Sequence, residues 1–358
     1  MRLGKRASDL TCRCAAGLIM VAWTIAPAAA QSGKSFAGKT VTMTIGFEAG
    51  SGPDLYGRVL GRHLTRYLPG QPGFVVINQT GAGGVVALNN WANKSEPNGL
   101  SVTIGAQSQT DPDALMRTQA KYDPATFSYV GGLAAPSQGL FVSKAAVGRL
   151  HDKSAKPVIM GLVGSTLRTG SYQVVWGVAF LGWNVKWVRG YTTTAELRQA
   201  MERGEIDMTS FGATTDIDYL LGTGKFAVVS QSGMVEGGKT MQRPALGDAP
   251  LISDLVRGKI KDPLAQKAFE YGEYVSQLGF WLALPPRSPE ATVATYVRAL
   301  ETTLKDDRYQ AEFAKIDAGA PAATRRDLET LVRELAKVSP ETLDFIQAEL
   351  KRQGFGST

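Results

Sequence analysis

The chain has 358 residues, with 39 Lys and Arg against 32 Asp and Glu, a net charge of +7, two cysteines and two histidines. That length can bury ample core, and about two domains are expected. The basic excess comes as single residues such as Arg58, Arg62, Arg66, Arg189 and Arg203. No Lys/Arg block sits beside stacking aromatics, so a solvated surface explains the charge better than a nucleic-acid partner.

Residues 1–30 read as a cleaved signal peptide. Arg2, Lys5, Arg6 and Arg13 form a basic start, Ala15 to Ile25 an apolar run, and Ala28-Ala-Ala30 a cleavage site before Gln31. The run falls short of the roughly 20 residues a membrane span needs. Cleavage removes those four cations and Asp9, taking the net charge from +7 to about +4. Cys12 and Cys14 leave with the peptide, so the exported chain is expected to use no disulfide, thiolate nucleophile or cysteine-held metal.

Val41 to Ile45 alternates like a half-buried strand. Phe47-Glu-Ala-Gly-Ser-Gly-Pro-Asp54 then opens a helix: Ser51 or Gly52 can cap it, Pro53 suits its first turn, and Asp54 suits the positive end of its dipole. Leu55, Val59, Leu60, Leu64 and Leu68 give it an apolar stripe. A second strand, Phe74 to Ile77, runs into Gln79-Thr-Gly-Ala-Gly-Gly84 and another helix start. A third, Leu100 to Gly105, runs into the polar loop Ala106-Gln-Ser-Gln-Thr110. Strands that end in glycine-rich helix N-termini at one sheet edge present free backbone N–H groups, an arrangement that binds anions.

The pattern changes near Ala134, and Leu140 to Val142 begins a new set of strands. Pro157 to Val163 leads through Gly164-Ser-Thr-Leu-Arg-Thr-Gly-Ser171 into an apolar helix, Tyr172 to Leu181. Val185 to Tyr191, Ile206 to Phe211 and Phe226 to Ser230 are further strands, with a helix capped by Thr194 between the first two. Asp262 to Leu278 is helical and Phe280 to Leu284 a strand. The remainder is predicted as one helix to about Leu304, a short one near Tyr309 to Phe313, and a long one after Arg325. This alternation implies an α/β protein with parallel strands. Residues 31–136 and 278–358 form the first expected domain and 137–277 the second, with a ligand cleft between them.

These motifs together resemble the tripartite tricarboxylate transporter receptors, the Bordetella-uptake-gene type of periplasmic solute-binding protein. The resemblance is carried by Phe47-Glu-Ala-Gly-Ser-Gly-Pro-Asp-Leu-Tyr56, Gly81-Ala-Gly-Gly84, Glu96-Pro-Asn-Gly99, Tyr122-Asp-Pro124 and Phe127-Ser-Tyr-Val-Gly-Gly132. Glu205-Ile-Asp207 and Leu246-Gly-Asp-Ala-Pro-Leu-Ile-Ser-Asp-Leu255 extend it over nearly the whole exported chain. It implies a type II periplasmic-binding-protein fold, a Venus flytrap closing on an organic acid in the periplasm. The partners implied are a dicarboxylate, aromatic acid or amino acid and integral-membrane permease subunits. The receptor itself is expected to be a monomer without cofactor.

Carried over by position, the first-domain ligand contacts are Phe47, Ala49, Gly50, Ser51, Gly52 and Asp54, then Thr80, Gly81, Ala82, Gly83 and Gly84, with Ser108 from the third loop. The second domain offers Ser165, Arg168, Thr169, Gly170, Ser171, Tyr191, Ser210 and Phe211. Glu48 departs from the family, which places small or hydroxyl residues there; its side chain points away, or the ligand carries a positive or hydroxyl group. Arg168 reads equally as a bidentate carboxylate clamp and as a surface arginine.

Competing classes leave weaker traces. Gly33-Lys-Ser-Phe-Ala-Gly-Lys-Thr40 and Gly233-Met-Val-Glu-Gly-Gly-Lys-Thr240 match the phosphate-loop pattern, which works only between a strand and a helix. The first precedes a strand, and Pro244 stops a helix soon after the second. An enzyme would need more than His63 and His151, which lie in no metal-ligand pattern, although Glu48, Asp54, Asp207 and Asp216 could share a cleft. A ligand sensor for a signalling system would use the same flytrap as an uptake receptor.

Overall fold

Two mixed sheets organise the computed structural model, which describes residues 35–117, 120–135, 137–163, 167, 169–236, 239–316 and 321–355. Both sheets lie in one unit, Gly33–Thr358. The signal-peptide reading falls outside the described residues.

In chain order, β1 (Thr40–Ile45), β2 (Gly73–Asn78), β3 (Ser101–Ala106) and β4 (Ser128–Ala134) belong to the first sheet. The second holds β5 (Gly139–Ser143), β6 (Val158–Val163), β7 (Val185–Tyr191), β8 (Met208–Phe211) and β9 (Phe226–Gln231). A hairpin follows, β10 (Met234–Glu236) with β11 (Lys239–Met241). The chain then returns to the first sheet as β12 (Leu278–Leu284) and β13 (Ala322–Thr324). The orders are β13-β4-β12-β3-β1-β2 and β7-β6-β8-β5-β9.

The expected α/β class holds, and the expected parallel pairing holds for part of each sheet. β1 pairs parallel with β2 and β3, whereas β12 runs antiparallel between β3 and β4. A strand that arrives late from the other sheet enters from the opposite end, so its direction is reversed. It also sits deep: Trp281 and Leu282 are fully buried, and a Cβ on Gly105 would lie 2.0 Å from the Trp281 ring. β5, the first strand after the outward crossing, is likewise antiparallel between β8 and β9.

Local pattern explains most elements. Val41, Met43 and Ile45 of β1 are buried alternately, as a period of two requires. In the helix Gly52–Tyr67 the inward stripe is Tyr56, Val59, Leu60 and Leu64, while Leu55 is 41% exposed. Tyr56 takes the inward place and stacks on Phe280 at 5.8 Å. The helix after strand β7 is capped by Thr193, whose side chain accepts from Glu196 N, one residue earlier than expected. The helix Thr214–Gly222 has no counterpart among the predicted elements. The long C-terminal helix is two, Arg325–Leu335 and Pro340–Arg352, because Pro340 cannot continue a helix and Ser339 caps the new one. The second phosphate-loop match falls in the β10–β11 hairpin, not at a strand-to-helix turn.

The two crossings touch, with Ala135 N donating to Gln277 O at 3.0 Å. The helix Pro340–Arg352 packs on Pro263–Gln277 and on Tyr172–Leu181. Beyond it Gln353 Nε2 donates to Val175 O at 2.9 Å, and Phe355 meets Trp187 edge-on at 5.4 Å. The C-terminal segment therefore packs against elements that follow the second sheet's strands.

Candidate functional site

The first loop leaves β1 and enters the helix Gly52–Tyr67 with Ser51 at the N-cap position and Pro53 in the first turn. Ser51 does not cap with its side chain; its hydroxyl donates to Glu48 O at 2.6 Å, and its N–H to the same oxygen at 3.2 Å. That turn leaves the side chains of Glu48 and Ala49 exposed. Asp54 was expected at the helix end, yet it is only 1% exposed and wholly engaged. Gly50 N donates to its Oδ2 at 2.8 Å, Arg58 Nε to both oxygens at 2.9–3.0 Å, and Asn78 Nδ2 to its Oδ1 at 2.8 Å. Burial opposes its charge, but the bonds from Arg58, Gly50 and Asn78 outweigh burial and hold its pKa below the ordinary value.

The second loop turns back through Gly81, Ala82, Gly83 and Gly84, all with positive φ (128°, 47°, 63° and 93°). Such a run suits glycine, and Ala82 is the residue that bears strain there. Thr80 to Gly83 are exposed. Among the described residues no partner takes up the backbone N–H groups of Ala82, Gly83 or Ala49. The first two loops meet at their bases, where a Cβ on Gly46 would sit 2.6 Å from Gly84 Cα.

Gln109, which sequence reasoning passed over for its exposed neighbour Ser108, joins the third loop to them. It is fully buried; its Nε2 donates to Gly84 O at 3.1 Å and its Oε1 accepts from Ala106 N at 3.0 Å. A polar residue in a loop gives no periodic signal of burial, so only the convergence of the loops reveals it.

In the second sheet, Ser165 and Arg168 lie outside the described residues. Thr169–Ser171 forms a 3₁₀ turn at the head of the helix Tyr172–Leu181. Gly170 packs on Ser210, where a Cβ would approach the hydroxyl to 2.3 Å and Gln138 Cβ to 3.0 Å. Tyr191 is half-buried at the end of the edge strand β7. Phe211 is not a cleft side chain: it is 1% exposed, in the core against Phe141 at 5.7 Å. Arg243, also unread in the sequence, lies buried behind this group. It donates to Ser137 O at 3.2 Å, Gly212 O at 2.5 Å and Thr214 Oγ1 at 2.8 Å.

The third loop and the 169–171 turn both lie against the helix Pro263–Gln277. Asp111, two residues beyond Gln109, accepts a hydrogen bond from Tyr271 on the helix Pro263–Gln277. The neighbouring Gly272 packs directly on Tyr172 and Trp176, just after the 169–171 turn. Three of the four carboxylates that could have shared a cleft are otherwise occupied. Asp54 pairs with Arg58, Asp207 with Arg149 at 2.6 Å and Asp216 with Arg198 at 2.5 Å, while Glu48 is exposed. Among the described residues no cluster of His, Cys, Asp or Glu is placed to hold a metal.

Neither a family model nor a curated relative matches the sequence. Among solved structures, a TctC solute-binding protein from Polaromonas matches with TM-score 0.66 over 89% of this chain and 100% of that one, at 16% identity. The fold is that of TctC. MatC from Rhodopseudomonas palustris, solved with bound malate, matches with TM-score 0.55 over 87% of this chain and 100% of that one, at 17% identity. R. palustris Rpa4515, solved with adipate, gives 0.58 over 88% and 98%, at 20% identity. In the TctC fold of this chain, the three first-sheet loops stand together at one sheet edge, and the Gly170–Ser210 contact joins the 169–171 turn to strand β8.

Proposed function

We propose that this chain is an exported receptor that captures a small carboxylate between two lobes, each built on one of its two sheets, and delivers it to integral-membrane permease subunits. The observation that carries this reading is the convergence of three loop ends on Gln109, with N–H groups of Ala49, Ala82 and Gly83 left without partners among the described residues. Such groups near a helix N-terminus suit an anionic oxygen. The malate and adipate held by MatC and Rpa4515 support an organic acid as the ligand class.

Capture here is population shift. The Ala134–Gln138 and Gln277–Trp281 segments serve as the hinge, and a ligand touching both lobes favours the closed state. The test is a thermal-shift screen of dicarboxylates, aromatic acids and amino acids, followed by mass spectrometry of the recovered ligand. Stabilisation by an acid returned unchanged supports the receptor. An acid returned chemically altered, or no stabilisation by any of them, overturns it.

A further inference from the structure

The acidic side chains of the three loops are Glu48, Asp54 and Asp111. They are the carboxylates these loops could offer as counter-charge to an ammonium group entering beside the anion site. Asp111 accepts from Tyr271 and from the backbone N–H of Asp113 at 3.0 Å. Glu48 is exposed, where a single charge attracts weakly through water.

Asp54 is committed inward. Its two oxygens receive Gly50 N, Arg58 Nε and Asn78 Nδ2, and the ring closes because Arg58 Nη2 donates to Asn78 Oδ1 at 2.8 Å. Asn78 Nδ2 also donates to Phe47 O at 3.0 Å. The ring thus grips the first loop at two points, Phe47 and Gly50, and ties both to the end of β2. A ligand ammonium could reach this carboxylate only by breaking charge-assisted bonds that shape the loop.

We infer that Asp54 is a positioning residue that fixes the first loop from inside the protein, and that the site takes carboxylates without an ammonium group in preference to the matching amino acids. The selectivity half rests on the carboxylate-capture reading above; the positioning half does not.

The experiment uses matched pairs that differ by one ammonium group: succinate with aspartate, glutarate with glutamate, and 3-phenylpropionate with phenylalanine. Calorimetry on the exported protein should show the ammonium-free member of any bound pair binding at least about tenfold tighter. Asp54→Asn should weaken every bound acid by a similar factor, about tenfold or more, leaving the ratio within each pair unchanged. Arg58→Gln should do the same, and Arg58→Lys should recover part of the loss. Hydrogen exchange at residues 47–51 should quicken in Asp54→Asn while β1 and β12 stay protected, a readout that needs no ligand.

An amino acid binding as tightly as its partner, or a loss in Asp54→Asn confined to amino acids, overturns the selectivity. Unchanged exchange at residues 47–51 overturns the positioning role. Wild-type protein that binds none of the six acids overturns the capture reading on which the selectivity rests, and exchange still decides the role of Asp54.

Discussion

Gln109 is tied to Gly84: its amide donates to the Gly84 carbonyl at 3.1 Å while its oxygen accepts from Ala106 N at 3.0 Å. Gln109→Ala would take this partner from the half-buried Ala106 N–H and from the buried Gly84 carbonyl, at a cost of about 1–3 kcal/mol for the buried group. The expected outcome is a lower denaturation midpoint and weaker binding of whichever acid the wild-type protein takes. Denaturant titration and calorimetry on the same variant check both.

Gly83 lies at φ 63° with no atom within 4 Å of an added Cβ. Gly83→Leu therefore meets no steric clash at its Cβ, and the left-handed backbone costs about 1–2 kcal/mol. The variant should stay folded and lose binding, because the new side chain occupies the space in front of the second loop's N–H groups. Unchanged affinity by calorimetry would remove that loop from the site.

Tyr271 and Asp111 link the helix Pro263–Gln277 to the third loop. Burial above all, then the charge of Asp111, pushes the Tyr271 phenol well above its usual range, so it remains a donor at every working pH. Tyr271→Phe removes a bond to a charged acceptor worth about 1.5–3 kcal/mol. Small-angle scattering of the ligand-free variant should show a larger radius of gyration, and affinity should fall. An unaltered scattering curve would mean that this bond does not hold the two sheets' loops together.

Burial raises the Glu273 carboxyl from its usual value to about 8. A raised acid is bound to its proton in the folded state while the unfolded chain has released it. The folded state is therefore favoured below the unfolded pKa, and stability declines as pH rises from the ordinary carboxylate range to about 8. Glu273→Gln should match wild type near pH 4 and exceed it near pH 8, by on the order of 2 kcal/mol. Chemical denaturation at the two pH values checks the sign, and equal differences at both would refute it.

Much of this protein is written locally. The alternation of Val41, Met43 and Ile45 specified a strand, and Ser51-Gly-Pro-Asp54 a helix start. The glycines of 81–84 specified a turn with positive φ, because backbone sterics act over a few residues. That is why the α/β class and the position of the first two loops could be read before any coordinates. Strand direction could not, since the place of β12 between β3 and β4 depends on a chain returning from a distant sheet. Nor could the use of side chains such as Asp54, Gln109, Arg243 and Phe211. Each is polar or aromatic in a loop, in a helix's first turn or at a strand end, and at least one of its partners stands at a distance along the chain that no periodicity encodes. The sequence placed a carboxylate at the mouth of a helix. Only the tertiary structure, by bringing Asn78 from the next strand against Arg58, turned that carboxylate inward and gave the open face of the loop to backbone N–H groups.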